Sequence, residues 1–312
     1  MDILGKSKIW FAFSGLLCAI SIVLLFAWGL KPGIDFTGGS LLRLEFVGAR
    51  ITNEQIREVL SDVSRYGQVT VQPVGGAEVI IRLKELDEAG HQEVLRKLEE
   101  KAGEVGGENA PAVNIRETKF DSIGPSIGKE LREKSQLAII FVLIAIVVYI
   151  AWAFREVSTT VSKYESAVFG FFAIVALVHD ILITLGAFAF LGHFYNVEVD
   201  TFFIAALLTI LGYSVNDTII VFDRIRENIV RRAGESFPAL VNKSIDETIV
   251  RSFNTSMATL LVLFCILMFG GETTYYFVLA LIIGITAGTY SSIFLASPLL
   301  VWWKGRKRTA VN

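Results

Sequence analysis

Six long apolar blocks divide the chain, and between the first two lies a region of a different pattern. The blocks run from Ile9 to Leu30, Leu137 to Phe154, Ala167 to Leu191, Thr201 to Phe222, Ser252 to Phe269 and Thr274 to Trp303. Inside them apolar residues follow one another without the period of about 3.6 or 2 that marks a half-buried helix or strand. Each block is near or above the roughly 18 to 20 residues that carry an α-helix across about 30 Å of hydrocarbon. The pattern predicts six membrane spans. The first block follows Lys6 and Lys8, as the apolar core of a signal peptide would, but its 22 residues exceed such a core. It is read as a retained span.

The region from Lys31 to Lys134 alternates instead. Leu41 to Val47 reads as a strand. Thr52 to Val63 carries Ile56, Val59, Leu60 and Val63 at helical spacing, with Thr52 as its cap. Val69 to Val74 and Val79 to Leu83 read as strands around a Gly75-Gly76 turn, Glu88 to Val105 as a second helix, and Ala112 to Thr118 as a last strand. Strand, helix, strand, strand, helix, strand is the ferredoxin-like order. The expected fold is therefore a polytopic α-helical membrane protein with a ferredoxin-like α+β domain between spans one and two. Its expected segments are residues 1–30, 31–134, 135–303 with a loop at 223–251, and a basic tail at 304–312.

Composition sharpens this. Of 312 residues 53% are hydrophobic and 19% charged, too apolar for an ordinary soluble globule. A net charge of −2 excludes the global basic footprint of a nucleic-acid binder. Cys18 and Cys265 both sit in apolar blocks, so neither a disulfide framework nor a metal cluster is expected. Local charge sets orientation. Lys6 and Lys8, Arg155 and Lys163, the cluster Arg224, Arg226, Arg231, Arg232, Lys243 and Arg251, and Lys304, Arg306, Lys307 and Arg308 alternate with two short connections that lack Lys and Arg. Both termini are expected to be cytoplasmic, with residues 31–134 extracytoplasmic. Trp10, Trp28, Trp152, Trp302 and Trp303 all fall at span ends, where an interfacial belt would put them.

No enzyme chemistry is legible. His91 reads as solvated on a helix, and Gly38-Gly39, Gly75-Gly76 and Gly106-Gly107 lack phosphate-loop spacing and read as turns. The informative residues are ionisable groups inside spans, which cost roughly 2.5 to 3.5 kcal/mol each on insertion scales and mark pathways. Span three carries His179 and Asp180, and span four carries Asn216 and Asp217. Thr209, Tyr213, Asn216 and Asp217 form one stripe, and Arg251, Thr255 and Thr259 another on span five. Arg251 opens span five, with a side chain long enough to reach toward Asp217. At an effective dielectric of about 20 such a partner contributes about 4 kcal/mol at 4 Å and about 1.7 at 10 Å. A helix movement of a few ångströms could then load or unload a proton. The alternative is a structural Asp217 satisfied by Arg251 or by hydroxyls. For His179 and Asp180 relay and intersubunit contact both stay open.

These motifs resemble a known family. Gly33-Ile34-Asp35-Phe36-Thr37-Gly38-Gly39 after span one, Gly124-Pro125-Ser126-Ile127-Gly128 before span two, Val178-His179-Asp180, and Gly212-Tyr213-Ser214-Val215-Asn216-Asp217-Thr218 with Phe222-Asp223-Arg224-Ile225-Arg226-Glu227-Asn228 resemble the SecD/SecF protein-export family across the whole chain. The resemblance implies half of an RND-superfamily bundle in the cytoplasmic membrane. It further implies pairing with SecD beside the SecYEG channel, often with YajC, and use of the proton-motive force to assist late, SecA-independent movement of unfolded preproteins. No cofactor beyond the proton is expected. It also implies proton passage at Asp217 and Arg251; Asn216, Tyr213 and Thr255 join them as candidates from their places on the two polar stripes. Two other readings are an RND-like exporter subunit and a purely structural assembly factor. Asp223 to Arg251 is expected to form an amphipathic helix on anionic lipid of the inner leaflet, or else a solvated loop. The glycine and proline residues at the two necks, Pro32-Gly33 and Gly124-Pro125, are read as hinges or as rigid turns.

Overall fold

The computed structural model describes residues 3–47, 51–74, 78–106, 114–153, 163–231 and 234–309. The chain divides into an α+β unit, Pro32–Gln136, and a membrane unit, Met1–Lys31 with Leu137–Asn312. Gly75-Gly76, Gly107, Ala112, Phe154, Arg155, Arg232 and residues 310–312 lie outside the described residues.

In the α+β unit, helix α2 (Ile34–Thr37) precedes strand β1 (Gly39–Val47); α1 is the first span, Ser7–Ala27. Then come α3 (Asn53–Val59), α4 (Val63–Tyr66), β2 (Thr70–Val74), β3 (Glu78–Leu83), α5 (Glu88–Gly106) and β4 (Asn114–Ile123). The sheet is antiparallel throughout in the order β2-β3-β1-β4, the ferredoxin-like arrangement. Its register follows from alternation: Leu42, Leu44 and Phe46 point to one face, opposite Ile81 and Val79 on β3, and there meet Ile56, Val94 and Leu98 from the helices. Fully burying such a side chain contributes about 1.5–3 kcal/mol. Thr52 caps α3 through a capping box with Gln55, as its position before the apolar run suggested. A bulge between Arg43 and Leu44 shifts the β1–β4 register, and the Thr118 hydroxyl donates to the Arg43 carbonyl there.

Two expectations are corrected in this unit. His91 is 6% exposed rather than solvated, because α5 lies across β4. Its ring stacks on Phe120 at 3.8 Å and Nε2 sits 2.9 Å from Glu117 Oε2. The last strand runs on to Ile123, and α6 (Pro125–Ala153) starts two residues later with proline in its first position. The necks are closely packed. A Cβ on Gly38 would lie 2.9 Å from Pro125 Cα, one on Gly39 2.7 Å from the Leu83 carbonyl, and one on Gly128 2.9 Å from the Gly38 nitrogen. Gly38 and Gly39 also adopt φ of +70° and +123°. The two neck motifs therefore interlock through bare backbone.

Among the described residues, six helices are long and apolar enough to cross a membrane. After α1 and α6 these are α7 (Lys163–Tyr195), α8 (Thr201–Arg231), α9 (Phe237–Phe269) and a last span built from α10 (Glu272–Ser291), a π-helical stretch (Ser292–Ala296) and α11 (Ser297–Thr309). Spans three, four and six form the centre, and spans one, two and five have mostly exposed apolar surfaces. Gly284 and Gly288, one turn apart, let span six close on span four: a Cβ would meet Ile210 at 2.3 Å and Ser214 at 3.0 Å.

The expected amphipathic helix over Asp223 to Arg251 is not a separate element. Span four continues to Arg231 and span five begins at Phe237, so both helices extend as one antiparallel hairpin. Its apolar residues Ile225, Val241 and Ile245 are buried in the bundle core rather than turned to lipid, and Leu240 is 5% exposed. The Arg224 guanidinium donates to Glu247 at 2.7 Å, and the Asn228 amide donates to Glu247 at 2.8 Å and to Ser244 at 2.9 Å. Two residues of the Phe222–Asn228 motif, four apart, thus bind one carboxylate on the facing helix.

Candidate functional site

The centre of the membrane unit is polar. Asp180 on span three is fully buried. Its Oδ1 lies 2.9 Å from Nδ1 of its neighbour His179, and Oδ2 accepts from Ser214 on span four at 2.5 Å and Ser291 on span six at 2.9 Å. The close approach at Gly288 brings these helices near enough for one carboxylate to hold three of them. Ser291 and Ser292 are consecutive, so a helix aims them about 100° apart. Ser291 meets Asp180, whereas Ser292 pairs with Thr218 on span four at 2.9 Å. The π-helical stretch begins at Ser292. The Ser297 hydroxyl, five residues on, donates to the Ser292 carbonyl at 3.2 Å across the wider turn.

Asp217 is 6% exposed and sits beside the hydroxyls of Ser252 and Ser292. Among the described residues its Oδ2 and the Ser252 Oγ are buried without a hydrogen-bond partner, and Asp180 lies within electrostatic range. Asn216, next to it, is exposed. Arg251 is exposed too, and among the described residues no hydrogen bond or ion pair joins it to Asp217. The Thr255 and Thr259 hydroxyls donate to carbonyls one turn back on their own helix. The Tyr213 hydroxyl reaches Ser256 and Thr259 at 3.4 Å, and Thr289 donates to Ser256 at 2.7 Å.

The structure therefore brings together His179, Asp180 and Asp217 with a set of serines, and leaves Asn216, Arg251 and Thr255 on the outside. Sequence reasoning missed Ser214, Ser252, Ser291 and Ser292, since hydroxyls at span depth do not interrupt an apolar run. Their signal was the spacing of Ser291, Ser292 and Ser297 behind Gly284 and Gly288. Gly33, Asp35 and Phe36 lie instead in the α+β unit, at and within α2, where the Gly33 carbonyl accepts from Thr37. They belong to the neck of that unit. Among the described residues no group of His, Cys, Asp and Glu could hold a metal ion.

A bundle of six spans with acidic residues at its core and a ferredoxin-like insert after span one defines a class of polytopic transport protein, and the sequence comparisons identify it. A family model described as Protein export membrane protein SecD/SecF, C-terminal, matches residues 107–306, and one described as SecD/SecF GG Motif matches residues 23–49. The chain belongs to the SecD/SecF protein-export family. It is 40% identical over 316 residues to a Protein translocase subunit SecF from Thermobaculum terrenum, covering 98% of this chain and 95% of that one. A SecF from Vibrio alginolyticus is 40% identical, with 94% and 86% covered. These relatives are named as translocase subunits, transport components rather than enzymes. The crystal structure of SecDF, a translocon-associated membrane protein from Thermus thermophilus, matches with TM-score 0.77 and 33% identity over 98% of this chain. SecDF in its super-membrane-facing form matches at TM-score 0.67 and 32% identity. The chain spans 39% of the length of each SecDF chain.

Proposed function

We propose that this chain, paired with SecD, uses the proton-motive force to assist late movement of preproteins through the SecYEG channel. Both termini then face the cytoplasm, and residues 31–134 handle the emerging polypeptide on the far side, with YajC as a further partner. Anionic lipid headgroups meet the basic residues at the cytoplasmic end, Lys304 among them, which lies over the Phe237 ring at 4.3 Å.

One observation carries the reading. Span four turns Phe202, Ala205, Thr209, Gly212 and Asn216 outward in steps of three and four, and span five turns Arg251, Thr255 and Ala258 outward. Facing lipid, the polar members of this surface would be costly. Small and polar residues at helical spacing instead suit the close approach of further helices. The occupant that fits is a second six-span bundle, and the longer SecDF chains leave room for one. Docked there, it would cover Arg251 and Asn216 and raise the strength of any Arg251–Asp217 interaction by excluding water. One proton crossing about 150 mV releases roughly 3.5 kcal/mol, enough to reverse an equilibrium whose states differ by a few kcal/mol.

The test is Asp217→Asn in the SecD-paired complex, with membrane level and SecD association measured alongside. Asparagine keeps the shape and loses the exchangeable proton. Export and proton-dependent current are expected to collapse together while assembly stays intact. If both survive, Asp217 is architectural and the chain is an assembly factor.

A further inference from the structure

Among the described residues of the membrane unit, four buried side-chain atoms have no hydrogen-bond partner: Nε1 of Trp10, Nε2 of His179, Oδ2 of Asp217 and Oγ of Ser252. Asp217 already belongs to the proposed proton path. His179 is 4% exposed, and its other ring nitrogen is held. Asp180 Oδ1 fixes Nδ1 at 2.9 Å, while two hydroxyls occupy Asp180 Oδ2. With both hydroxyls donating, the carboxylate is best served by a hydrogen on Nδ1, which makes Nε2 the nitrogen with a free lone pair. A carboxylate that fixes one imidazole nitrogen so that the other can take a proton is the arrangement of a proton-transfer dyad.

The pair also has a path to Asp217. Ser291 touches Asp180, and Ser292 lies beside Asp217. Both hydroxyls also reach one carbonyl, that of Gly288, at 3.2 and 2.8 Å. Each can therefore swing between a backbone acceptor and a neighbouring polar group at the start of the π-helical stretch. Resting on the proton-coupled reading above, we propose that His179 and Asp180 form a second proton station in series with Asp217, with His179 Nε2 as the receiving atom and Ser291 and Ser292 as the link. One proton binds Nε2, the Nδ1 proton passes to Asp180 Oδ1, and the pair changes from −1 to neutral; Asp180 then gives its proton up through the Ser291 and Ser292 hydroxyls toward Asp217, the pair returns to −1, and a turn of the imidazole ring brings its hydrogen back to face Asp180. Among the described residues the other titratable groups turned toward the pair are Cys18 from span one, Asp217 from span four and Tyr290 from span six. Among the described residues, the hydrogen-bond and ion-pair partners of the Asp180 carboxylate are His179, Ser214 and Ser291, with no lysine or arginine among them.

The experiment uses the SecD-paired complex with proton-dependent current recorded across a pH series. His179→Asn keeps an amide donor where Nδ1 stood and removes Nε2, and Ser291→Ala with Ser292→Ala removes the link while keeping backbone and bulk. With membrane level and SecD association unchanged, His179→Asn is expected to lower the current about a hundredfold or more, as loss of a proton-transferring side chain does. The serine pair is expected to lower it in the same direction and to shift its pH profile. Infrared difference spectra between acid and neutral pH should show a protonated-carboxyl band that Asp180→Asn removes; this readout is independent of transport and of the variants' activity. Wild-type current in His179→Asn, or an unshifted profile in the serine pair, overturns the second station while Asp217→Asn remains inactive. Wild-type current in Asp217→Asn instead overturns the relay reading on which the station rests.

Discussion

The two units solve opposite packing problems with the same residue types. In the α+β unit the interior is aliphatic, with Leu42, Leu44, Ile56, Ile81 and Leu98 fully buried. Ser40 and His91, buried among them, are tied to Leu86 and Glu117. In the membrane unit large apolar residues point outward, Phe26 at 89% exposure and Phe141 at 67%, and the polar residues Asp180, Ser214, Asp217 and Ser291 lie within. Water rewards hiding apolar area, whereas hydrocarbon is indifferent to it and penalises unpaired polar groups. Apolar pattern therefore reports contacts in one unit and only span limits in the other. Contacts inside the membrane are reported by small and polar residues.

The sharpest way to break this contrast is to delete apolar bulk in each unit. Leu98→Ala, at a fully buried position, is expected to destabilise the α+β unit by about 3 kcal/mol. Phe141→Ala, two-thirds exposed on span two, is expected to change the membrane unit by less than about 0.5 kcal/mol. The readouts separate naturally. All five tryptophans lie in the membrane unit, so their fluorescence follows that unit, while amide exchange of β1 and β3 follows the other. Equal losses for the two variants would abolish the distinction.

A somewhat smaller effect is expected from the neck. Gly39→Ala sets a Cβ 2.7 Å from the Leu83 carbonyl at φ +123°, a clash with backbone on top of conformational strain. A cost of about 2 to 3 kcal/mol is expected, confined to the α+β unit and seen as faster exchange along β1 and β3. Unchanged exchange would mean that the neck is looser than its contacts imply.

Legibility in the sequence follows the same division. The six spans, the ferredoxin-like order and the Thr52 cap could be read because each rests on local pattern: run length, alternation, or one residue before a periodic stretch. The hairpin formed by spans four and five could not. Arg224 and Asn228 look like a solvated basic stretch until Glu247, about twenty residues away, supplies their common partner. His91 was misread for the same reason, since Phe120 and Glu117 reach it from a strand that the local sequence does not reveal. At the polar centre the charged residues Asp180 and Asp217 were visible and the hydroxyls that organise them were not. The π-helical stretch has no local signature beyond its serines.

The smallest expected effect tests whether acid sensitivity of the α+β unit resides in its surface caps. Asp62 precedes α4, and its carboxylate accepts from the Ser64 hydroxyl at 2.5 Å and from the backbone N–H groups of Ser64 and Arg65 at 3.1 and 3.3 Å. The Ser64 hydroxyl first, and then these N–H groups, hold the carboxyl below its usual range. A charged form favoured by the fold contributes stability that is fully present above the unfolded carboxylate's value, near pH 4, and is lost as pH falls through the lower folded value. Amide exchange around α4 should therefore quicken only below about pH 4, and Asp62→Asn should remove that acid-dependent part while the neutral-pH fold and the tryptophan signal of the membrane unit stay as they were. An acid slope that persists in Asp62→Asn would assign it to other carboxylates of the unit. A slope that begins above about pH 5 would contradict the direction in which the Ser64 hydroxyl acts.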